Sequence, residues 1–145
     1  VVDKDGRLSS FNLLGQITSS EQLYKPTTET VYNLVPDVMG KTFVLARYDR
    51  RRLVLLNRNN EEIMSKDFGS EVIPDVQYYD FGSDVQVYLV CDKSEELTYI
   101  YDSEGNLIGS GPLKSKEPVA LLYSELNKQF TIYYVSGNEV LVRTF

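Results

Sequence analysis

Three segments of this chain repeat one another. Val2-Asp3-Lys4-Asp5-Gly6-Arg7-Leu8 aligns with Leu56-Asn57-Arg58-Asn59-Asn60-Glu61-Glu62, and both align with Tyr101-Asp102-Ser103-Glu104-Gly105-Asn106-Leu107. Asp3 and Asn57 stand 54 residues apart, and Asn57 and Asp102 stand 45 apart. A clipped fourth copy, Val140-Leu141-Val142-Arg143, follows 41 residues beyond the third. Self-similarity at such a period constrains the fold more than any single motif does. Each unit is too small to bury its own apolar face and has to stack against its neighbours.

The sequence ahead of each turn repeats as well. Phe43–Tyr48, Val87–Asp92 and Phe130–Val135 precede the second, third and fourth copies, and one more short run lies ahead of each: Val31–Val35, Val76–Phe81 and Val119–Tyr123. These runs, with Leu53–Leu56, Thr98–Tyr101 and Val140–Val142, are β-branched or aromatic and too short for helices. Turn clusters such as Met39-Gly40-Lys41 and Gly82-Ser83-Asp84 bound them. No long stretch shows a helical stripe, so the fold class is all-β. Four short antiparallel strands at this period are the pattern of a propeller blade. The chain reads as groups of two, four, four and three strands, or about three blades. They form one domain over residues 1–145, with units at 1–16 (partial), 30–68, 73–113 and 117–145 (partial). A propeller normally needs at least four blades to close, so an arc of a longer propeller or an unusual closure is expected. The alternative is a β-sandwich or small barrel.

The hairpins at Val2–Leu8 and Tyr99–Ile108 resemble strand pairs of bacterial propeller proteins, among them quinoprotein-like and surface-layer-like ones. The run from Phe43 to Ile108 also resembles the C-terminal repeats of a family of large, uncharacterised bacterial propellers, in which a leucine-aspartate-arginine-asparagine-glycine turn is common. Leu55-Leu56-Asn57-Arg58-Asn59-Asn60 is similar to that turn. The resemblance covers about half the chain and implies a module of a larger bacterial protein. It carries no active site with it. The Trp-Asp and Gly-His pairs of WD40 repeats and the double glycine of kelch repeats are absent, and with no Trp in the chain the tryptophan docking of quinone-dependent propeller dehydrogenases is missing too.

Composition narrows the chemistry. With no His, the chain lacks the commonest general base, the Ser-His-Asp and Cys-His relays and every His-dependent metal site. Its single Cys forms neither an internal disulfide nor a thiolate zinc site. A net charge of −6 argues against sequence-independent nucleic-acid binding. No run approaches the roughly 18 apolar residues needed to cross a bilayer, so insertion into a membrane is not expected of this segment. The opening Val1-Val2-Asp3, without Met, reads as a processed or excised piece of something longer. The bacterial cell envelope or periplasm is the favoured compartment.

Several constellations admit a chemical reading beside a plainer one. Asp3-Lys4-Asp5-Gly6 and Asp102-Ser103-Glu104-Gly105 begin as calcium loops do, with oxygen ligands at alternate positions before a Gly, but both lack the distal Glu. The plainer reading is a hairpin turn in which Asp or Asn caps its own backbone, and no metal is expected. Arg50-Arg51-Arg52, with Arg47 and Arg58 nearby, could clamp an anion, yet alternation along a strand keeps the three from pointing one way. Most of the eleven tyrosines suit packing between stacked sheets. Tyr78, Tyr79 and Asp80 are the exception, because an innermost first strand faces the channel of a propeller, and they are the candidate ligand-binding residues. Cys91 shares a strand face with Val85, Val87 and Leu89 and reads as a core thiol. Asp80, Asp75 and Glu71 are the carboxylates that a glycosidase-type pair would use.

The expected function is therefore a non-enzymatic structural or protein-interaction module, without catalytic residues or cofactor. Its partner would be a protein, a second copy or the rest of its own chain. The alternatives are a ligand- or sugar-binding sensor and a fragment of a carboxylate-based hydrolase.

Overall fold

The computed structural model describes residues 1–145 and contains thirteen strands in four antiparallel sheets, with no helix. Sheet I pairs β1 (Arg7–Phe11) with β2 (Ile17–Gln22). Sheet II is a meander of β3 (Thr30–Pro36), β4 (Phe43–Asp49), β5 (Arg52–Leu56) and β6 (Glu62–Asp67). Sheet III repeats it with β7 (Asp75–Asp80), β8 (Gln86–Asp92), β9 (Leu97–Tyr101) and β10 (Leu113–Lys114). Sheet IV has three strands, β11 (Ala120–Ser124), β12 (Gln129–Ser136) and β13 (Glu139–Thr144). Four separate sheets replace the two of a sandwich or the one of a barrel, and no strand of sheet IV pairs with sheet I.

Period-two alternation explains how the sheets stack. Successive side chains of a strand leave on opposite faces, so a strand that is apolar throughout serves two interfaces at once. In β4 and β5, Leu45, Val54 and Leu56 join Leu23, just after β2, whereas Val44, Ala46, Leu53 and Leu55 face Tyr78, Tyr88 and Val90 of sheet III. In β8 and β9, Tyr88, Val90 and Tyr101 face back to sheet II, whereas Val87, Leu89 and Ile100 face Leu121 and Ile132 of sheet IV. Burying each such aliphatic side chain stabilises the fold by about 1.5–3 kcal/mol. The first strands of successive sheets are points of contact. The Val38 N–H, just after β3, donates to the Tyr78 carbonyl of β7 (3.1 Å). In turn the Gln77 Nε2 of β7 donates to the Val119 carbonyl (3.0 Å) at the threshold of β11, and the Val119 N–H returns a bond to Gln77 Oε1 (2.9 Å).

The repeated turn has one geometry throughout. The side-chain oxygen of Asp3, Asn57 or Asp102 accepts the N–H groups two and four residues on, at 2.8–3.0 Å. The residue three positions after that side chain (Gly6, Asn60, Gly105) takes a positive φ, as such a turn requires. Asn12 and Asp37 build the same device, with Gly15 and Gly40 at the positive-φ position. The Asn12 copy explains why sheet I departs from the expected partial unit at 1–16. The first strand of the expected hairpin survives only as a bridge from Val2 to Leu8, and the second turn sends the chain back as β2 through Gln22. Ile17-Thr18-Ser19-Ser20-Glu21-Gln22 has no apolar alternation and is exposed throughout, so it gave no strand signal.

Candidate functional site

A cleft of about 410 Å³ opens between sheets II and III. Its polar wall comes from β7 and β8, where the register sets Tyr78 opposite Tyr88 and Asp80 opposite Gln86 on one sheet face. The two tyrosine rings stack with centroids 5.2 Å apart. Both residues are almost fully buried, at 3% and 2% exposure, and line the cleft. Val44, at the start of β4, closes the cleft from sheet II, and Arg58 and Asn59 of the β5–β6 turn line the rim, whereas the Phe43 side chain packs with the cluster between sheets I and II.

The structure separates the three candidate ligand residues. Tyr78 and Asp80 line the cleft, whereas Tyr79 leaves β7 on the other face and its hydroxyl donates to the Val119 carbonyl (2.9 Å). Gln86 and Tyr88 are additions that the sequence did not single out. Their signal was the register between β7 and β8, which needs the hairpin to be placed first.

Within the cleft, Asp80 Oδ1 accepts the Gly82 N–H at 3.0 Å, and Oδ2 meets only the Tyr78 hydroxyl, at 3.4 Å. The Tyr88 hydroxyl likewise reaches Gln86 Oε1 only at 3.4 Å. Good O–H···O bonds are about 2.7–2.8 Å long, so both contacts are long ones; the Thr42 side chain also stands beside the Tyr78 phenol, and no buried side-chain polar atom lacks a partner. Burial, with Asp80, Tyr88 and Asp37 close by, raises the Tyr78 phenol well above its ordinary range. Burial and Asp80 push Tyr88 up to about 12. Asp37, in the β3–β4 turn beside the cleft, shows the opposite balance. Burial raises its carboxyl, yet N–H donation from Thr42, Met39 and Lys41 outweighs burial and holds it below the ordinary carboxylate value.

The phenols predict an alkaline limit to stability. Burial also holds Tyr48 and Tyr101 near 12. A folded-state value above the unfolded value of about 10 means that the native state keeps its proton longer. The resulting stability is present in full below about pH 10 and is lost as pH rises through about 12. Phenolate absorbance should therefore show Tyr48, Tyr78, Tyr88 and Tyr101 titrating last and together with the loss of sheet circular dichroism. A smooth titration of all eleven with the fold intact would contradict this.

The remaining constellations take structural roles. Arg50 pairs with Glu29, Arg51 with Glu71 (3.7 Å), and Arg52 donates to Ser65 Oγ (3.1 Å), so the three arginines diverge. Cys91 is buried, with its thiol against the Ser115 carbonyl at 3.7 Å, and burial pushes it up. Asp3 and Asp102 spend one carboxylate oxygen each on two backbone N–H groups of their own turns. Asp75 and Asp80 lie at opposite ends of β7, about 16 Å apart along the strand, beyond the spacing of a glycosidase pair. Asp75 is held by Lys93 (2.7 Å). A wider groove of about 570 Å³ beside Tyr32, Leu34, Ile73 and Pro74 is mostly apolar, and Asp75 is its one charged side chain.

No protein-family model matches the chain, and no curated protein matches it by sequence. Among solved structures it is similar to a protein of unknown function from Bacteroides caccae, at 8% identity over 97% of this chain with a TM-score of 0.45. The chain spans about half, 54%, of that protein.

Proposed function

We propose that the four sheets are propeller-type blades and that the chain is a non-enzymatic interaction module, joined through the open face of sheet IV to a second copy of itself. Contact between the first strands of successive sheets and face-to-face burial between neighbours support the blade reading. The observation that carries the interaction is the sheet IV face turned away from sheet III. Register places Leu122, Tyr133, Val135, Val140 and Val142 together on it, with Val140 and Val142 at 70% and 57% exposure. The corresponding forward-facing positions, Val44 and Ala46 in sheet II and Val87 and Leu89 in sheet III, are buried under the next sheet. Five such side chains together reach the size, about 300–600 Å², of the largest apolar patch on a typical monomer.

The other end of the stack is a poor complement. Arg7, Ser9, Ser20 and Gln22 share the outward face of sheet I. Head-to-tail stacking would lay these polar groups on the valines. A two-fold pairing of sheet IV with sheet IV is instead apolar on both sides and free of like charges, whatever the net charge of −6 does at long range.

Val140→Lys combined with Val142→Lys should weaken self-association at least about 100-fold, because a two-fold axis buries each unpaired ammonium twice. Sedimentation across a concentration series reads this directly. The exposed β1–β2 tip supplies the control, since Leu13→Ser with Leu14→Ser removes two solvent-facing leucines away from sheet IV. A mass that falls with the tip variant and not with the lysine variant would overturn the assignment.

A further inference from the structure

We infer that two neighbouring hairpin tips, residues 12–15 and 37–40, dock together on the surface of a phospholipid bilayer. The inference goes beyond the pairing of sheet IV and is independent of it, since the tips belong to sheets I and II.

The chain builds one turn five times, and the two residues after the capping Asp or Asn set the copies apart. They are Lys4-Asp5, Arg58-Asn59 and Ser103-Glu104 in three copies, but Leu13-Leu14 and Val38-Met39 in the other two. The turn itself makes no demand for apolar side chains there, because three copies form without them. Nor does the fold bury them. Leu13 and Leu14 are 106% and 82% exposed, and Val38 and Met39 are 64% and 69% exposed. The two tips are neighbours, for Phe11 at the foot of the first and Gly40 and Lys41 of the second line one cleft of about 500 Å³. Bulky apolar side chains gathered in this way mark an interaction surface.

Charge, backbone and shape all fit lipid. Residues 8–20 and 38–46 hold one charged side chain, Lys41, although 25% of the chain is charged. Lys41 has no ion pair, so its ammonium is free to meet a headgroup phosphate while the apolar side chains dip below it. Asp37 is 3% exposed and turns its carboxylate inward onto the N–H groups of Met39, Lys41 and Thr42. The Asp37, Val38 and Gly40 N–H groups are spent on the carbonyls of Thr42, Tyr78 and Asp37, so every N–H from 37 to 42 has a partner within the protein. Those of Asn12, Leu14, Gly15 and Gln16 are likewise spent within their own turn. An apolar phase demands backbone satisfied from within. The same bonds hold the leucines out on a projecting tip, around which a fluid bilayer can close. Such contact is interfacial, which is distinct from the crossing that the sequence argues against.

Flotation of the full chain with large vesicles of phosphatidylcholine tests this. The chain should float with the vesicles at millimolar lipid. Leu13→Ser with Leu14→Ser, and Val38→Ser with Met39→Ser, should each lower the partition coefficient about tenfold or more. Their thermal midpoints should stay unchanged, because the side chains replaced are exposed. Val72→Ser removes a 51% exposed side chain beside the Arg51–Glu71 pair, at the other end of sheet II, and should float as the parent does. Because the chain has no Trp, Leu14→Trp supplies a lone reporter whose emission should move to the blue on vesicles. No flotation, flotation that survives both tip variants or falls equally with Val72→Ser, or an unmoved Leu14→Trp emission would each overturn the inference. Tip variants that change the mass in solution, from a chain that ignores vesicles, would assign the tips to a protein contact and overturn it too.

Discussion

Gly105→Ala is expected to lower the unfolding free energy by about 4 kcal/mol, an unusually large loss for one added methyl group. Gly105 has φ +79°, where an L side chain costs roughly 1–2 kcal/mol. The larger part comes from its neighbour. A Cβ built there would lie 2.2 Å from the Ile63 carbonyl oxygen and 3.0 Å from the Met64 Cβ. Both belong to β6, so the turn after β9 rests directly on the backbone of the preceding sheet. Backbone cannot swing aside as a surface side chain can, and sheets II and III would have to separate there. Gly137→Ala is the matched control, with φ +62° and nothing within 4 Å of the added Cβ. It should cost only the conformational part, about 1 kcal/mol. Urea unfolding of both variants tests the point, and equal losses would show that the contact between turn and sheet carries no weight.

Leu89→Ala should cost about 3–4 kcal/mol and lower the thermal midpoint by about 10 °C. Leu89 is 1% exposed in the middle of β8, paired with Gln77 on one side and Ile100 on the other, and lies within the cluster between sheets III and IV. Its neighbours Val87, Ile100, Leu121 and Ile132 belong to two sheets pinned by their own ladders, so they cannot collapse into the space left behind. Differential scanning calorimetry gives the shift, and a change below about 3 °C would mean that sheet IV settles freely onto sheet III.

Much of this architecture was legible because the repeat, the turn chemistry and the alternation agree with one another. The runs read at Val31–Val35, Val76–Phe81 and Val119–Tyr123 became β3, β7 and β11 to within a residue or two. The two-four-four-three grouping reappears in the sheets. What escaped was β2, whose Ser, Thr and Gln carry no alternation, and the reduction of the first strand of the Val2–Leu8 hairpin to a single bridge. The site was half legible. Tyr78 and Asp80 were marked by their place on a first strand, but a sequence does not say which face of that strand is open. Tyr79 therefore travelled with them although its hydroxyl is spent on Val119. Gln86 and Tyr88 enter only through the cross-strand register with Asp80 and Tyr78.

The central claim is that a stack of blade-type sheets finishes itself by burying the open face of sheet IV against a second copy. Light scattering on a sizing column, run over a tenfold or greater range of concentration, measures it most directly. The account predicts a mass approaching twice the 16.6 kDa of the chain as concentration rises. A constant 16.6 kDa throughout would contradict it.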